Sequence, residues 1–298
     1  MERRSFLKVV SAGITLAACG CASHWPEFFS RAAKEEAPEQ PKEVSDYAEV
    51  DAGQAKSPVF KEPTHTHSKV MNFDQDFPDD IFCEKHRMEM VLALLQKFRA
   101  VQRRVGDGNF NLLGMDEFFS QAALTNRGAL TREEKALLEE LFFFDAKKYG
   151  FYGDKNFHNF TDGIRKEDVR KIAGTGHFLR KGKSEETYAR LRRDVGDSII
   201  LTSGVRSLAK QFHLFLEKTA VSNGNLSKAS RSLAPPGYSF HGHEDFDVGK
   251  VGYGLSNFTD DFARTEEYKR LEALGYVEIR YTATNDLGVR FEPWHIKV

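Results

Sequence analysis

The feature that most constrains the fold is a change in apolar spacing near residue 150. Upstream of it, Met88, Val91, Leu92, Leu95 and Phe98 recur at steps of three and four residues, and the stripe ends before Gly106-Asp107-Gly108. That period gathers side chains on one side of an α-helix. A second helix is predicted from Thr131, where Thr131 and Glu134 make a capping box ahead of Leu137, Leu138, Leu141 and Phe142. Beyond Phe151 helical and strand-like spacings mix. A helix over 184–195 precedes the strand-like run Ile199-Ile200-Leu201, and a helix from about Ser207 carries Leu208, Phe212, Phe215 and Leu216 on one side. Another runs from Thr265 to Leu274 and stops at Gly275. Val277, Ile279 and Tyr281 then alternate, residues 284–288 turn the chain, and Val289 and Phe291 alternate back, which predicts a hairpin. The expected fold class is α+β, a small antiparallel sheet with flanking helices, preceded by a helical segment.

Composition narrows the partners. With 298 residues, 40% hydrophobic and 12% aromatic, the chain can bury a full core. Its 43 basic and 44 acidic side chains leave a net charge of -1, so no global field favours nucleic acid, and none is expected as a partner. Arg3, Arg4 and Lys8 precede an apolar stretch over 9–18 that is too short to span a bilayer, which reads as an export signal. Residues 3–8 resemble a twin-arginine signal, and Leu16-Ala17-Ala18-Cys19 resembles a bacterial lipobox whose cysteine carries lipid. The expectation is an exported protein of the cell envelope or periplasm, lipid-anchored to a membrane through Cys19. An uncleaved anchor helix is the alternative.

Cys19 and Cys21 lie in the signal region, so Cys83 is the sole cysteine of the folded part and no disulfide framework exists. Cys83 and His86 form C-x-x-H without a second cysteine pair to complete a zinc site, so a buried structural thiol is expected. Residues 23–69 are rich in Glu, Lys, Ala and Pro with no sustained apolar period. The expected organisation is a signal over 1–19, a tether over 20–75 containing the unassigned His65 and His67, a helical segment over 76–155, and a catalytic domain over 156–298.

Two stretches carry chemistry. Residues 239–249 place two histidines and three carboxylates between His241 and Asp247, and residues 290–298 contain Glu292-Pro293-Trp294-His295. In a regular strand Glu292 and His295 would face opposite ways, but Pro293 cannot donate to a ladder, and a bend there would bring both to one side. A catalytic zinc ion takes three protein ligands and keeps a position for water. His241, Asp247 and His295 would supply the ligands for one zinc per chain, and Glu292 would be the general base.

Taken with Thr202-Ser203-Gly204-Val205-Arg206-Ser207 and Gln211, these stretches resemble the zinc D-alanyl-D-alanine carboxypeptidases and dipeptidases. That family includes the vancomycin-resistance enzymes and related L-alanyl-D-glutamate endopeptidases. Ser239 and His241 begin its second motif, and Glu292 to His295 match its third in full. Val205 stands where the family has Tyr, Glu244 where it has Gly and Phe246 where it has Ala. Asp247 arrives one residue early, which leaves His243 and Asp245 as substitute ligands. The resemblance, over about 170–298, implies that Arg206 stabilises the oxyanion and that Ser239, Gln211 and Trp294 are candidates for holding substrate, Trp294 being equally a core residue. His158, His177 and His213 read as surface or satisfied core histidines. The implied function is hydrolysis of peptidoglycan stem peptides with release of terminal D-Ala. The alternatives are an L-alanyl-D-glutamate endopeptidase and a non-catalytic peptidoglycan-binding lipoprotein.

Overall fold

A computed structural model of the chain describes residues 65–298. The expected signal, Cys19 and most of the expected tether lie outside the described residues. Among the described residues no helix is long and apolar enough to cross a membrane.

The first described element, α1 (His65–Met71), lies within the span expected as tether. Val70 is buried, and the turns that follow are fastened by Arg231, which donates to the carbonyls of Phe73 (3.2 Å) and Gln75 (2.7 Å) and to both Asp80 carboxylate oxygens (2.8 and 3.0 Å). A buried guanidinium needs this many acceptors, so residues 65–75 are docked on the folded unit.

Four helices follow: α2 (Lys85–Val105), α3 (Asp107–Phe110), α4 (Met115–Ala123) and α5 (Arg132–Phe143). The capping box forms as the sequence predicts. Thr131 Oγ1 accepts from the Glu134 amide (3.2 Å), and Glu134 Oε2 accepts from the Thr131 amide (2.7 Å). The same carboxylate accepts from Lys97 Nζ (2.5 Å), which ties α5 to α2. The buried stripe of α2 is Val91, Leu94, Leu95, Phe98 and Val101, while Leu92 is half exposed. The spacing of 91, 94, 95, 98 and 101 keeps to one helix side, and Leu92 is turned about 100° away from Val91.

The second half contains the hairpin β1 (Val169–Lys171) and β2 (Phe178–Arg180), then α6 (Lys183–Val195), β3 (Ile199–Ser203), α7 (Leu208–Val221), α8 (Leu226–Ser230), β4 (Phe246–Lys250), α9 (Glu266–Ala273), β5 (Glu278–Ile279) and β6 (His295–Lys297). Ser207 caps α7 and Thr265 caps α9. The main sheet is antiparallel in the order β3-β4-β6-β5. The expected hairpin forms with a different return strand, because β5 pairs with β6 and not with residues 289–291. Val289 instead joins a small cluster with Ala146, Phe151 and Tyr281. The fold is thus α+β.

The core crosses the boundary expected between 155 and 156. Phe98 on α2 stacks on Phe118 of α4, and both belong to one buried cluster with Phe212, Phe215 and Leu216 of α7. A second cluster, with Leu191, Leu201, Phe246, Val248, Leu271, Trp294 and Ile296, fills the space between the sheet, α6 and α9. The stripe of α2 is covered by α7, so the helical segment and the sheet form a single compact unit. Cys83 is half buried and free, with burial pushing its thiol up, and His86 is exposed, so the pair makes no metal site.

Candidate metal centre

The centre is built on β4. Phe246 and Val248 enter the apolar cluster, and by strand alternation Asp245 and Asp247 share the opposite side. Register does the rest: Asp247 lies opposite His295 on β6 and Ser203 on β3. The Glu292-Pro293-Trp294-His295 turn closes with the His295 amide donating to the Glu292 carbonyl (3.1 Å). This is the bend that Pro293 implies, and it brings Glu292 Oε2 to 3.6 Å from His295 Nδ1.

His241 enters from a single 3-10 turn, Phe240–Gly242, that is tied to the turn after β3 in both directions. Its Nδ1 lies 2.8 Å from the Gly204 carbonyl oxygen, and its own carbonyl accepts from the Arg206 amide (2.9 Å). Gly204 has no room for a side chain, since a Cβ there would sit 1.9 Å from the Phe178 carbonyl oxygen. The close approach of β2 therefore requires glycine. The shortened spacing between His241 and Asp247 is accommodated in residues 242–244, where Arg180 donates to the carbonyls of Gly242 (3.0 Å) and His243 (2.6 Å) and Ser184 to that of Glu244 (2.7 Å). His243 is exposed, and the structure fastens it through its backbone.

One ligand atom each from His241, Asp247 and His295 lies within 4.8 Å of the others, and all three residues are buried. His241 Nε2 is 3.2 Å and His295 Nδ1 3.3 Å from the same Asp247 Oδ1. Neither His241 Nε2 nor Asp247 Oδ1 makes a hydrogen bond despite that proximity. Buried polar atoms rarely lack a partner, and orphaned donors converging on one point suit a shared cation. The other ring nitrogen of each histidine is occupied, by the Gly204 carbonyl for His241 and by Asp245 Oδ2 (3.0 Å) for His295. With a proton on each of those nitrogens, His241 Nε2 turns its lone pair toward Asp247, and His295 Nδ1 does so once its second proton is given up, as metal binding requires.

Asp245 is a residue whose role the sequence left open. Weighed there as a substitute ligand, it stands behind His295, held by Arg280 through Nε (2.6 Å) and Nη2 (2.8 Å) and by the Val298 amide (3.1 Å). The Asp-Phe-Asp-Val alternation was a signal that it shares a side with Asp247. Its partner Arg280 had no local signal, since the two meet only through the pairing of β5 with β6.

The charges explain the titration pattern. Burial pushes His241 down to about 4, with Arg206 adding to the effect. His295 is pulled down by burial, yet Asp245, Asp247 and Glu292 outweigh this and hold it well above the usual imidazole range. Burial raises Asp247, but His241 and Arg206 keep its carboxyl well below the usual carboxylate range. Asp245, Asp247 and Glu292 against Arg206 and Arg280 leave one negative charge, which the proton retained by His295 balances and which a metal ion would balance in its place by displacing that proton.

The remaining candidates divide. Arg206 donates from Nη2 to Asp247 Oδ2 (2.5 Å) and from Nε to Ser203 Oγ (2.9 Å), which leaves Nη1 without a partner among the described residues. Ser239 borders a small recess beside Arg206. Gln211 also borders it, but its side chain is already committed, accepting from the Gly237 amide (2.8 Å) and donating to the Arg206 carbonyl (3.0 Å). These two bonds tie the loop to the start of α7. Trp294 is core, packed edge-on against Phe258 within the second cluster.

Residues 184–298 match the family of D-alanyl-D-alanine carboxypeptidases called VanY. That match bears out the resemblance read from the motifs and agrees with a zinc metallopeptidase of that type. Among solved structures the chain is similar to the LdcB LD-carboxypeptidase, described for its peptidoglycan recognition, at 21% identity over 45% of this chain and 69% of that one, with a TM-score of 0.37. It is also similar to VanYB in complex with D-alanine-D-alanine, at 21% identity over 43% of this chain and 75% of that one, with a TM-score of 0.33. No curated protein matches the chain.

Proposed function

We propose that the chain is a zinc-dependent peptidase that acts on peptidoglycan stem peptides and releases a terminal D-Ala. The observation that carries this reading is the convergence of His241 Nε2, Asp247 Oδ1 and His295 Nδ1 on one point, with Glu292 beside the set and outside it. Two imidazole nitrogens and a carboxylate oxygen are a donor set suited to catalytic zinc. When bound, zinc would supply Lewis-acid activation of water and of the scissile carbonyl.

Glu292 takes the proton of the attacking water and returns it to the leaving amine nitrogen, the general-base and general-acid halves of one cycle. Its position on the His295 turn keeps it within reach of the metal ligands without joining them. Arg206 places fixed positive charge, with Nη1 available, where negative charge develops on the carbonyl oxygen. The Ser203 hydroxyl and Asp247 hold that guanidinium in place, so little reorganisation is needed. Ser239, at the recess beside Arg206, is the remaining candidate for contacting the peptide.

The test is zinc content measured alongside amine release on a muramyl pentapeptide. One zinc per chain with release of D-Ala is expected. Binding of the stem with no amine released would overturn the enzyme reading in favour of a binding lipoprotein, and release at the L-Ala to D-Glu bond would make the chain an endopeptidase. The proposed export through the twin-arginine-like segment, and lipid attachment at Cys19, are checked by mass spectrometry of the native protein. An intact Met1 terminus overturns them.

A further inference from the structure

The turn that carries Glu292 and His295 is backed by residues from the far end of the described chain. Arg290, two residues before Glu292, donates from its amide to the Arg231 carbonyl (2.9 Å) and from Nη2 to the Phe258 carbonyl (3.0 Å). Its guanidinium carbon lies 4.9 Å from the centre of the Trp294 ring and 4.8 Å from that of Phe73. Among the described residues Arg290 has no carboxylate partner, and its Nε is buried without a hydrogen bond. A guanidinium carries five donors and is usually oriented by a carboxylate fork. Here one carbonyl and two aromatic rings orient it, so the loss of either ring leaves it free to turn.

Phe73 is itself held firmly. It follows α1, whose Val70 is buried, and its carbonyl accepts from Arg231 Nε (3.2 Å). Arg231 also grips Gln75 and Asp80, and its guanidinium lies 5.0 Å from the centre of the Phe77 ring. Asn225 Nδ2 donates to Asp76 (2.9 Å) and to Asp80 (2.8 Å). Arg231 thus fastens residues 73–80 with its side chain and the chain leading to Glu292 with its carbonyl. Trp294 also meets the Phe258 ring edge-on at 6.0 Å, and Phe258 is the residue whose carbonyl receives Arg290. Trp294 lies between Glu292 and His295 in a turn closed by one hydrogen bond (3.1 Å), so movement of the indole is passed to both functional side chains.

Resting on the peptidase reading, we infer that residues 73–80 are a positioning element of the catalytic turn, in which Phe73 acts through Arg290 and Trp294 to hold Glu292 and His295 in place. These residues lie upstream of the matched span 184–298, so the support comes from the N-terminal part of this chain. Phe73 and Arg290 are positioning residues. They act on the proton carrier and not on the peptide, so their loss lowers kcat and leaves KM.

The experiment uses the full zinc-loaded chain and follows zinc content, amine release on a muramyl pentapeptide, and acrylamide quenching of Trp294 fluorescence. The quenching is read in a Trp25→Phe background, which leaves Trp294 as the single tryptophan. Phe73→Leu keeps apolar bulk but presents no ring to the cation. It should lower kcat about 10-fold, short of the roughly 100-fold that a 1 Å misplacement can cost, with KM within about 2-fold and zinc content unchanged. Quenching of Trp294 should rise in the same variant, and Phe73→Tyr should restore both readouts. Arg290→Met should reproduce the loss, and Phe73→Leu should add nothing to it, because the two residues act in one line. Wild-type turnover and quenching in Phe73→Leu, equal losses in the Leu and Tyr variants, a change confined to KM, or additive losses in the double variant would overturn the inference. A zinc-loaded wild type that releases no amine would overturn the peptidase reading, and the quenching of the same variants would then decide whether Phe73 positions Trp294.

Discussion

Among the described residues, buried histidines occur in two regions and are treated in opposite ways. His213, on α7, lies in the aromatic core, stacked on Phe98 with ring centroids 5.8 Å apart and set edge-on to Phe110 at 5.7 Å. Neither of its ring nitrogens has a hydrogen-bond partner, and burial drives it down to about 3. His295, equally buried, is ringed by Asp245, Asp247 and Glu292 and holds a proton well above the usual range. Burial alone makes an inert neutral ring. Carboxylates around the ring, with the far nitrogen occupied, keep it charged and make it a candidate ligand once a metal ion displaces the second proton.

The sharpest way to break this comparison is to remove a ligand. His241→Ala should strip the zinc and abolish amine release, because a site with three protein donors loses one of them, whereas His243→Ala should keep the metal. Metal analysis of the two purified variants decides it, and the reverse outcome would move the ligand to His243.

Glu292→Gln tests the proton carrier. The amide keeps size and hydrogen bonding but cannot take the water proton, so turnover should fall by about 100- to 10,000-fold with zinc content unchanged. Near-normal hydrolysis in a zinc-replete variant would remove Glu292 from the mechanism.

A smaller effect is expected behind the ligand. Asp245→Asn removes the charge that holds the His295 Nε2 proton, and loss of such a support weakens metal affinity by about 10- to 100-fold. Competition against a chelator of known affinity measures this. Unchanged affinity would reduce Asp245 to an anchor for Arg280 and the C-terminus.

The smallest effect sharpens the other side of the comparison. His213 has its folded pKa depressed to about 3 from an ordinary 6.5, so between these values the unfolded chain binds more protons and stability falls as pH falls. The slope approaches about 1.4 kcal/mol per pH unit within that window. His213→Leu should flatten it by about that amount, read from urea unfolding at pH 7 and pH 5. Parallel slopes in wild type and variant would place the acid sensitivity elsewhere. The sequence reading of His213 as satisfied fails here because apolar neighbours, not acceptors, surround it.

What the sequence alone determined was local. The Thr131 and Glu134 box, the caps at Ser207 and Thr265, the stripe of α2 apart from Leu92, and the Pro293 bend all follow from backbone sterics and hydrogen bonds among neighbours, which act the same wherever the segment lies. The grouping of His241, Asp247 and His295 was legible because each sits in a dense motif. Tertiary structure alone decided the rest. Asp245 faces His295 across 50 residues and Arg280 across 35, Gln211 is claimed by a loop 26 residues away, and β6 displaces residues 289–291 as the partner of β5. In each case the side chain's type permits several roles, and the partner that arrives from a distant strand or loop selects one, because a buried polar group takes whichever acceptor or donor the packing delivers.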